Sequence, residues 1–392
     1  MNHIKFMLYT IAAGLLAGTL SAFFLVSLEW VTSMQNTYHW LLWLLPLGGA
    51  LVSYAYIKFG KDTSRGNALI FEQIQTGRGS VPFRIVPFVL GGTLITHLFG
   101  GSAGREGTAM QMGGGAASWL GAVGNLNAEQ TRLLLLAGIS AGFGSLFGTP
   151  LAAAVFALEA AARGKQRLHA IIPCLAASYT AHFVCLLWGA KHQHYFISLV
   201  PHFNFIILIK LIAASAAIGA AAWLFKKALS SLKRLFQAYL PHTAWRSFAG
   251  GIIIIALVYA LGTRAYLGLG LPLIEQAFDQ PAAAQWFALK LIFTVITLAA
   301  GFIGGEVTPL FAIGATLGSA LAPLIGTSPS FLAAIGLSAM FGAATKAPLA
   351  AFVLGLELFG TDAALYLLAA CLISSLCSGK NSIYAAPVRQ SM

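Results

Sequence analysis

Apolar stretches broken by glycine and proline run through almost the whole chain, and charge is scarce. Of its 392 residues 58% are hydrophobic and 9% are Asp, Glu, Lys or Arg. A soluble domain carries about 25% charged residues, so this chain has too little polar surface to cover a body of its size in water. Membrane β-strands are excluded as well. They alternate polar and apolar side chains over about ten residues, whereas these stretches are long and rich in Leu, Ala, Ile and Gly. The expected fold class is an all-α polytopic membrane protein.

The charge is lopsided, with 23 Lys and Arg against 11 Asp and Glu, a net +12. In a membrane protein that excess belongs to cytoplasmic loops, so a lipid bilayer rather than nucleic acid is the expected partner. The first apolar stretch, Phe6 to Val26, reads as a membrane helix and not as a cleaved signal. A second runs from about Trp40 to Phe59. The basic groups Lys58, Lys61 and Arg65, then Arg163, Lys165 and Arg167, then Lys226, Lys227, Lys233 and Arg234 read as inside loops. With Lys5 at one end and Lys380 and Arg389 at the other, both termini are expected in the cytoplasm. Cys174, Cys185, Cys371 and Cys377 lack metal-site spacing and read as small apolar residues. One transmembrane domain over 1–392 is expected, without a cytoplasmic regulatory domain.

Many apolar segments fall short of the roughly 20 residues a full span needs. They break at Gly100-Gly101, Gly113-Gly114-Gly115, Gly148-Thr149-Pro150, Gly304-Gly305, Thr308-Pro309 and Ala347-Pro348. Broken helices at membrane depth are tolerated where they line a cavity or are buried in protein. The chain also repeats itself. Gly138 to Glu159 aligns without gaps to Gly336 to Glu357, sharing Phe-Gly, Pro-Leu-Ala-Ala and the final Glu. Gly104-Arg105-Glu106-Gly107-Thr108 pairs with Gly304-Gly305-Glu306-Val307-Thr308. Two halves, about 35–200 and 201–380, with matching breaks predict a binding site where they meet.

The glycine loop before Glu106 leads into a helical run expected from about Thr108. Free N–H groups and the positive end of the dipole make a helix start an anion site. A carboxylate there can stand in for an anion, and once protonated it can leave; a cap ion pair between Arg105 and Glu106 is the alternative. Glu306 is the matching carboxylate of the second half, with Thr308 either capping a helix or offering its hydroxyl to an anion. Asn67, in Ser64-Arg65-Gly66-Asn67, offers an amide or a plain cap. Tyr384 offers a phenol, or marks the membrane interface. No metal or cofactor is called for.

These motifs resemble the CLC chloride channel/antiporter family. The chain departs from its chloride-carrying members: it has Arg65-Gly66-Asn67-Ala68 where they have a serine loop, Thr108 where they have proline, Glu306-Val307-Thr308-Pro309 where they have Gly-x-Phe-x-Pro, and Ala160 where they carry an inner proton glutamate. The departures are similar to the fluoride/proton antiporter branch. That resemblance implies two inverted repeats with short, tilted helices, a homodimer with one pathway per subunit, and residence in a bacterial inner membrane. It also implies Glu106 as the gating glutamate, Glu306 and Thr308 in ion handling, Gly104, Arg105, Gly107 and Thr108 around the anion, Asn67 in the selectivity loop and Tyr384 as the central tyrosine. Phe71 is one candidate for a pair of phenylalanines flanking the path.

The expected function is secondary antiport, exporting fluoride against entering protons, with chloride transport as the alternative. Fluoride is small and strongly hydrated, so its site must supply short, strong donors. An enzyme using Glu106 and Glu306 as acid and base is the rival of another class; the paired broken repeats speak against it. Glu159 and Glu357 read as structural, Lys346 equally as a cation near the anion path or as a side chain snorkelling to the cytoplasmic surface, and His192 and His194 as solvated.

Overall fold

The computed structural model describes residues 3–77, 80–161, 166–193, 195–202 and 204–384. Arg163, Lys165, His194 and Arg389 lie outside them. The described residues fold into helices and connecting turns, with one isolated antiparallel bridge, Gly104 to Gly305. Six stretches among the described residues are long and apolar enough to cross a membrane, 3–37, 39–76, 167–187, 205–239, 243–261 and 307–325, among shorter apolar helices.

Among the described residues two series of eight α-helices follow one another. The first is α1 His3–Thr37, α2 Leu45–Ala55, α3 Asn67–Thr76, α4 Ile85–Leu98, α5 Glu106–Val123, α6 Ala128–Phe147, α7 Pro150–Phe156 and α8 Gln166–Leu187. The second is α9 Phe205–Tyr239, α10 Thr243–Leu261, α11 Leu271–Asp279, α12 Gln285–Ala299, α13 Val307–Ile325, α14 Pro329–Thr345, α15 Pro348–Phe359 and α16 Ala364–Cys377. Each series opens on a 35-residue helix, α1 and α9.

The same local chemistry ends and starts matching helices. Asn127 opens α6 with a capping box to Gln130, and Ser328 opens α14 by accepting from Phe331 N. Both helices close on a left-handed residue, Gly148 with φ 74° and Lys346 with φ 61°. A proline then takes the first position of the next helix, Pro150 or Pro348, where its missing N–H loses nothing.

The glycines at 113–115 do not break a helix. They lie within α5, and a Cβ on Gly113 would stand 2.1 Å from Gly138 O of α6. The second series repeats the contact: a Cβ on Gly314 of α13 would stand 2.2 Å from Gly336 O of α14. Small residues let helix backbones touch without hydrophobic drive from water, and that packing outweighs the low helix propensity of glycine. Thr308-Pro309 is likewise no break but the first turn of α13.

Other expectations are corrected. The first helix extends well beyond Val26, to Thr37, and the second stretch is divided into a 3₁₀ turn, α2 and a π turn. Lys226, Lys227, Lys233 and Arg234 sit on α9, not in a loop. His192 is half-buried, its Nε2 2.9 Å from Ser145 O and its ring 5.5 Å from that of His182. Lys346 bonds the Ser375 carbonyl instead of snorkelling freely. Cys174, Cys185 and Cys371 are buried, but Cys377 is exposed.

Candidate functional site

The N-termini of α5 and α13 meet at the bridge. Gly104 N donates to Gly305 O at 2.6 Å and Gly305 N returns to Gly104 O at 2.8 Å. Just after each strand of this bridge a helix begins, so two sets of free N–H groups face one small volume.

Glu106 fills it. The helix starts at Glu106 itself, two residues earlier than expected, and its side chain is fully buried. Its Oε2 accepts from Thr308 N at 3.0 Å and from Arg105 N at 3.1 Å, and its Oε1 accepts from the Thr308 hydroxyl. Glu106 and Arg105 form no side-chain ion pair; the backbone of Arg105, not its guanidinium, holds the carboxylate. Thr308 does not cap α13 by its side chain, since Glu306 is the cap residue and makes no capping bond. The glycines on either side are bare for a visible reason: a Cβ on Gly104 would lie 2.6 Å from Glu106 Oε2, and one on Gly305 2.8 Å from Gly107 N. Thr108 is turned away from this nest, its hydroxyl 2.6 Å from that of Thr93 on α4.

Glu306, half-buried, lines a cavity of about 550 Å³ together with Asn67, Gln111, Lys233, Arg246 and Tyr384. Asn67 is the first residue of α3; the cap position is Gly66, and Asn67 Oδ1 is shut off from solvent with no partner among the described residues. Gly107 lies under it, where a Cβ would come within 3.1 Å of Asn67 Nδ2. Phe71 and Tyr384 stack with ring centroids 5.2 Å apart and planes 9° apart, and Phe156 meets Tyr384 edge-on at 5.9 Å. The Tyr384 hydroxyl is also unpartnered. Its segment is tied to α14 by Ile383 N donating to Ala344 O at 3.0 Å and Ser382 Oγ to Thr345 O at 2.7 Å.

Sequence reasoning missed the groups that hold the loop before Glu106. Lys290, fully buried on α12, donates to Ser102 Oγ at 2.9 Å, Gly268 O at 2.7 Å and Tyr266 O at 3.2 Å. The ring of His97 lies between the Thr93 carbonyl, 2.8 Å from Nδ1, and the Ala103 carbonyl, 3.1 Å from Nε2. A lone lysine inside an apolar helix was the available signal; His97 carried none. No cluster of three His, Cys, Asp or Glu able to hold a metal occurs among the described residues.

The helical architecture agrees with what comparison finds. The voltage gated chloride channel family profile matches residues 48–379. The chain belongs to the CLC family. Among relatives of this CLC protein, a chloride/fluoride channel protein of Pseudomonas syringae pv. tomato is 45% identical over 378 residues, 95% of this chain and 84% of the relative. The H(+)/Cl(−) exchange transporter ClcA of Vibrio campbellii is 24% identical over 395 residues, 93% of this chain and 83% of that one. The crystal structure of a CLC-type fluoride/proton antiporter superposes with a TM-score of 0.94 at 35% identity, covering 98% of both chains. A slow cyanobacterial Cl−/H+ antiporter superposes with 0.84 at 24% identity, covering 96% of this chain and 95% of that one, which speaks for the fold. The CLC protein is thus a multi-pass membrane protein of bacterial kind with the all-α CLC architecture, and its family moves ions rather than converting substrates.

Proposed function

We propose that this CLC protein is a fluoride/proton antiporter of the bacterial inner membrane, exporting fluoride as protons enter. The observation that carries the reading is the Glu106 carboxylate held by Thr308 N, the Thr308 hydroxyl and Arg105 N. These are donors for an anion. As a carboxylate, Glu106 competes with fluoride for them. Once protonated it loses its charge, the nest favours it less, and it swings out. Fluoride then takes the vacated donors, so a proton and an anion use one place in turn.

Fluoride reaches the nest from the cavity lined by Glu306, Asn67 and Tyr384, which we assign to the cytoplasmic side. Lys233 and Arg246 on its wall draw anions in. The unpartnered Tyr384 hydroxyl donates to the ion, and the amide of Asn67 completes the shell. Glu306, at the start of α13, takes up the proton that Glu106 carried. The short-range hydroxyl of Thr308 suits fluoride, which repays desolvation only through close, strong donors. Phe71 and Phe156 wall the path beside Tyr384.

The same reading places both termini in the cytoplasm and two such chains in a homodimer with one pathway in each. The two helix series form one transport unit. The experiment is reconstitution in liposomes loaded with both halides, following fluoride and chloride efflux together with internal pH. Fluoride efflux with proton uptake and little chloride is expected; chloride leaving as fast as fluoride overturns the fluoride assignment, and fluoride efflux without proton movement overturns antiport.

A further inference from the structure

A second, much smaller cavity adjoins the Glu106 nest. Its volume is about 20 Å³, and Arg105, Thr308, Tyr195, Gln193 and Phe147 line it. It shares no lining residue with the vestibule that holds Glu306 and Asn67. Room of this size suffices for one particle as large as a water molecule. A fluoride ion is of that size.

Two buried polar groups line this space with nothing to bond. Tyr195 Oη and Arg105 Nε are both shut off from solvent, and neither has a hydrogen-bond partner among the described residues. Arg105 is half-buried beside Glu106, and its Nε is the part of the guanidinium left unpaired. A buried donor without an acceptor is costly, for this N–H as for the tyrosine hydroxyl. Both groups are hydrogen-bond donors: guanidinium offers only donors, and a phenol offers one. The ring of Tyr195 is fixed by stacking on Phe278, centroids 5.0 Å apart and planes 23° apart, so its hydroxyl is held in place. Thr308 joins this cavity to the nest, since its hydroxyl and N–H engage Glu106 while its side of α13 forms the cavity wall.

We propose that this chamber is a halide-binding site beyond Glu106, where the transported ion rests between Arg105 and the Tyr195 hydroxyl on its way to or from the face opposite the vestibule. The proposal rests on the antiport reading for the identity of the ion. Its geometry rests on the cavity and the two unpartnered donors. The site gives Arg105 a task distinct from that of its backbone N–H, and gives the 195–202 segment a place in transport.

The test compares right-side-out and inside-out membrane vesicles from bacteria making the full chain, with fluoride followed by an ion-selective electrode. Tyr195→Phe removes only the hydroxyl and keeps the stack on Phe278. The half-saturating fluoride concentration is expected to rise at least about tenfold, as for one lost hydrogen bond to an ion, when fluoride is presented at one face, with the other face little changed. A second variant, Leu271→Phe, fills the chamber with carbon from another wall and should give the same one-sided shift. No shift in either variant, or equal shifts at both faces, overturns the site. If the parent protein moves chloride instead of fluoride, the fluoride reading fails, and the one-sided shift measured with chloride still decides the chamber.

Discussion

Glu159 caps the helix that carries Glu357, and Glu357 caps the helix that begins the path to Glu159. Glu159 Oε1 and Oε2 accept from Leu349 N and Ala350 N at 3.2 and 2.8 Å. Glu357 Oε1 and Oε2 accept from Leu151 N and Ala152 N at 3.0 and 2.7 Å. The two repeats thus exchange the same favour across their interface, each carboxylate answering the dipole of the other half's helix.

That reciprocity predicts a structural role for both. Replacing either glutamate with alanine leaves two N–H groups of a helix start unmet. Each change should destabilise the protein by about 1–3 kcal/mol, read as earlier thermal unfolding in detergent. The two losses should be of similar size, and proton coupling should survive in both variants. Coupling lost in Glu159→Ala would instead mark that carboxylate as a proton carrier.

The duplicated glutamates were visible in the sequence; their crossed pairing was not, because nothing local ties residue 159 to residue 350. The same divide runs through the site. The glycine-flanked Glu106 and Glu306 stand out as carboxylates in apolar surroundings, and the helix starts follow from the glycines and from Pro309. The contact between Glu106 and Thr308 spans 202 positions and depends on how two helix ends are brought together by the Gly104 to Gly305 bridge. Where local propensity spoke against packing, it misled: Gly113-Gly114-Gly115 looks like a break and is a helix contact, since a missing Cβ serves close approach as readily as flexibility. His97 and Tyr195 looked like ordinary residues because their partners, or lack of them, appear only in three dimensions.

Glycine substitutions separate these two uses. Gly104→Ala and Gly305→Ala push a Cβ to within 2.6 Å of Glu106 Oε2 and 2.8 Å of Gly107 N respectively. Overpacking of this kind typically costs about 1–3 kcal/mol, and here it falls on the nest. Fluoride flux should drop at least about fivefold in liposomes, by the conversion of 1.4 kcal/mol to a factor of ten. Gly91→Ala on α4 meets nothing within 4 Å. It should leave flux intact and raise stability by up to about 1 kcal/mol through helix propensity. Equal flux loss in all three would mean that the nest is not what the glycines protect.

Thr308 offers the nest both an N–H and a hydroxyl, and only the second can be removed by substitution. Thr308→Val keeps the shape and the backbone donor. One lost hydrogen bond to an ion is worth about 1.5–3 kcal/mol, so the half-saturating fluoride concentration should rise at least about tenfold. Thr308→Ser restores the hydroxyl and should return it to within about threefold of the parent. A serine variant as poor as the valine one would show that the threonine methyl, not the hydroxyl, sets the site.

Glu106→Gln separates charge from size. Glutamine fills the same volume, and its amide oxygen can still accept from Thr308 N and Arg105 N with its NH₂ toward the Thr308 hydroxyl, but it carries no charge for the two helix starts to hold. The side chain should leave the nest at every pH, and fluoride should then pass down its gradient without moving protons. The sign of the pH response follows. In the parent protein a proton must arrive before the carboxylate can leave, so flux should rise as the pH of the proton-donating face falls. In Glu106→Gln that step is gone, and the profile should be flat. Fluoride efflux from liposomes across a pH series, with proton uptake recorded in the same sample, checks both statements. A glutamine variant that still takes up protons as fluoride leaves would move the coupling to another carboxylate, and Glu306→Gln would be the variant to measure against it.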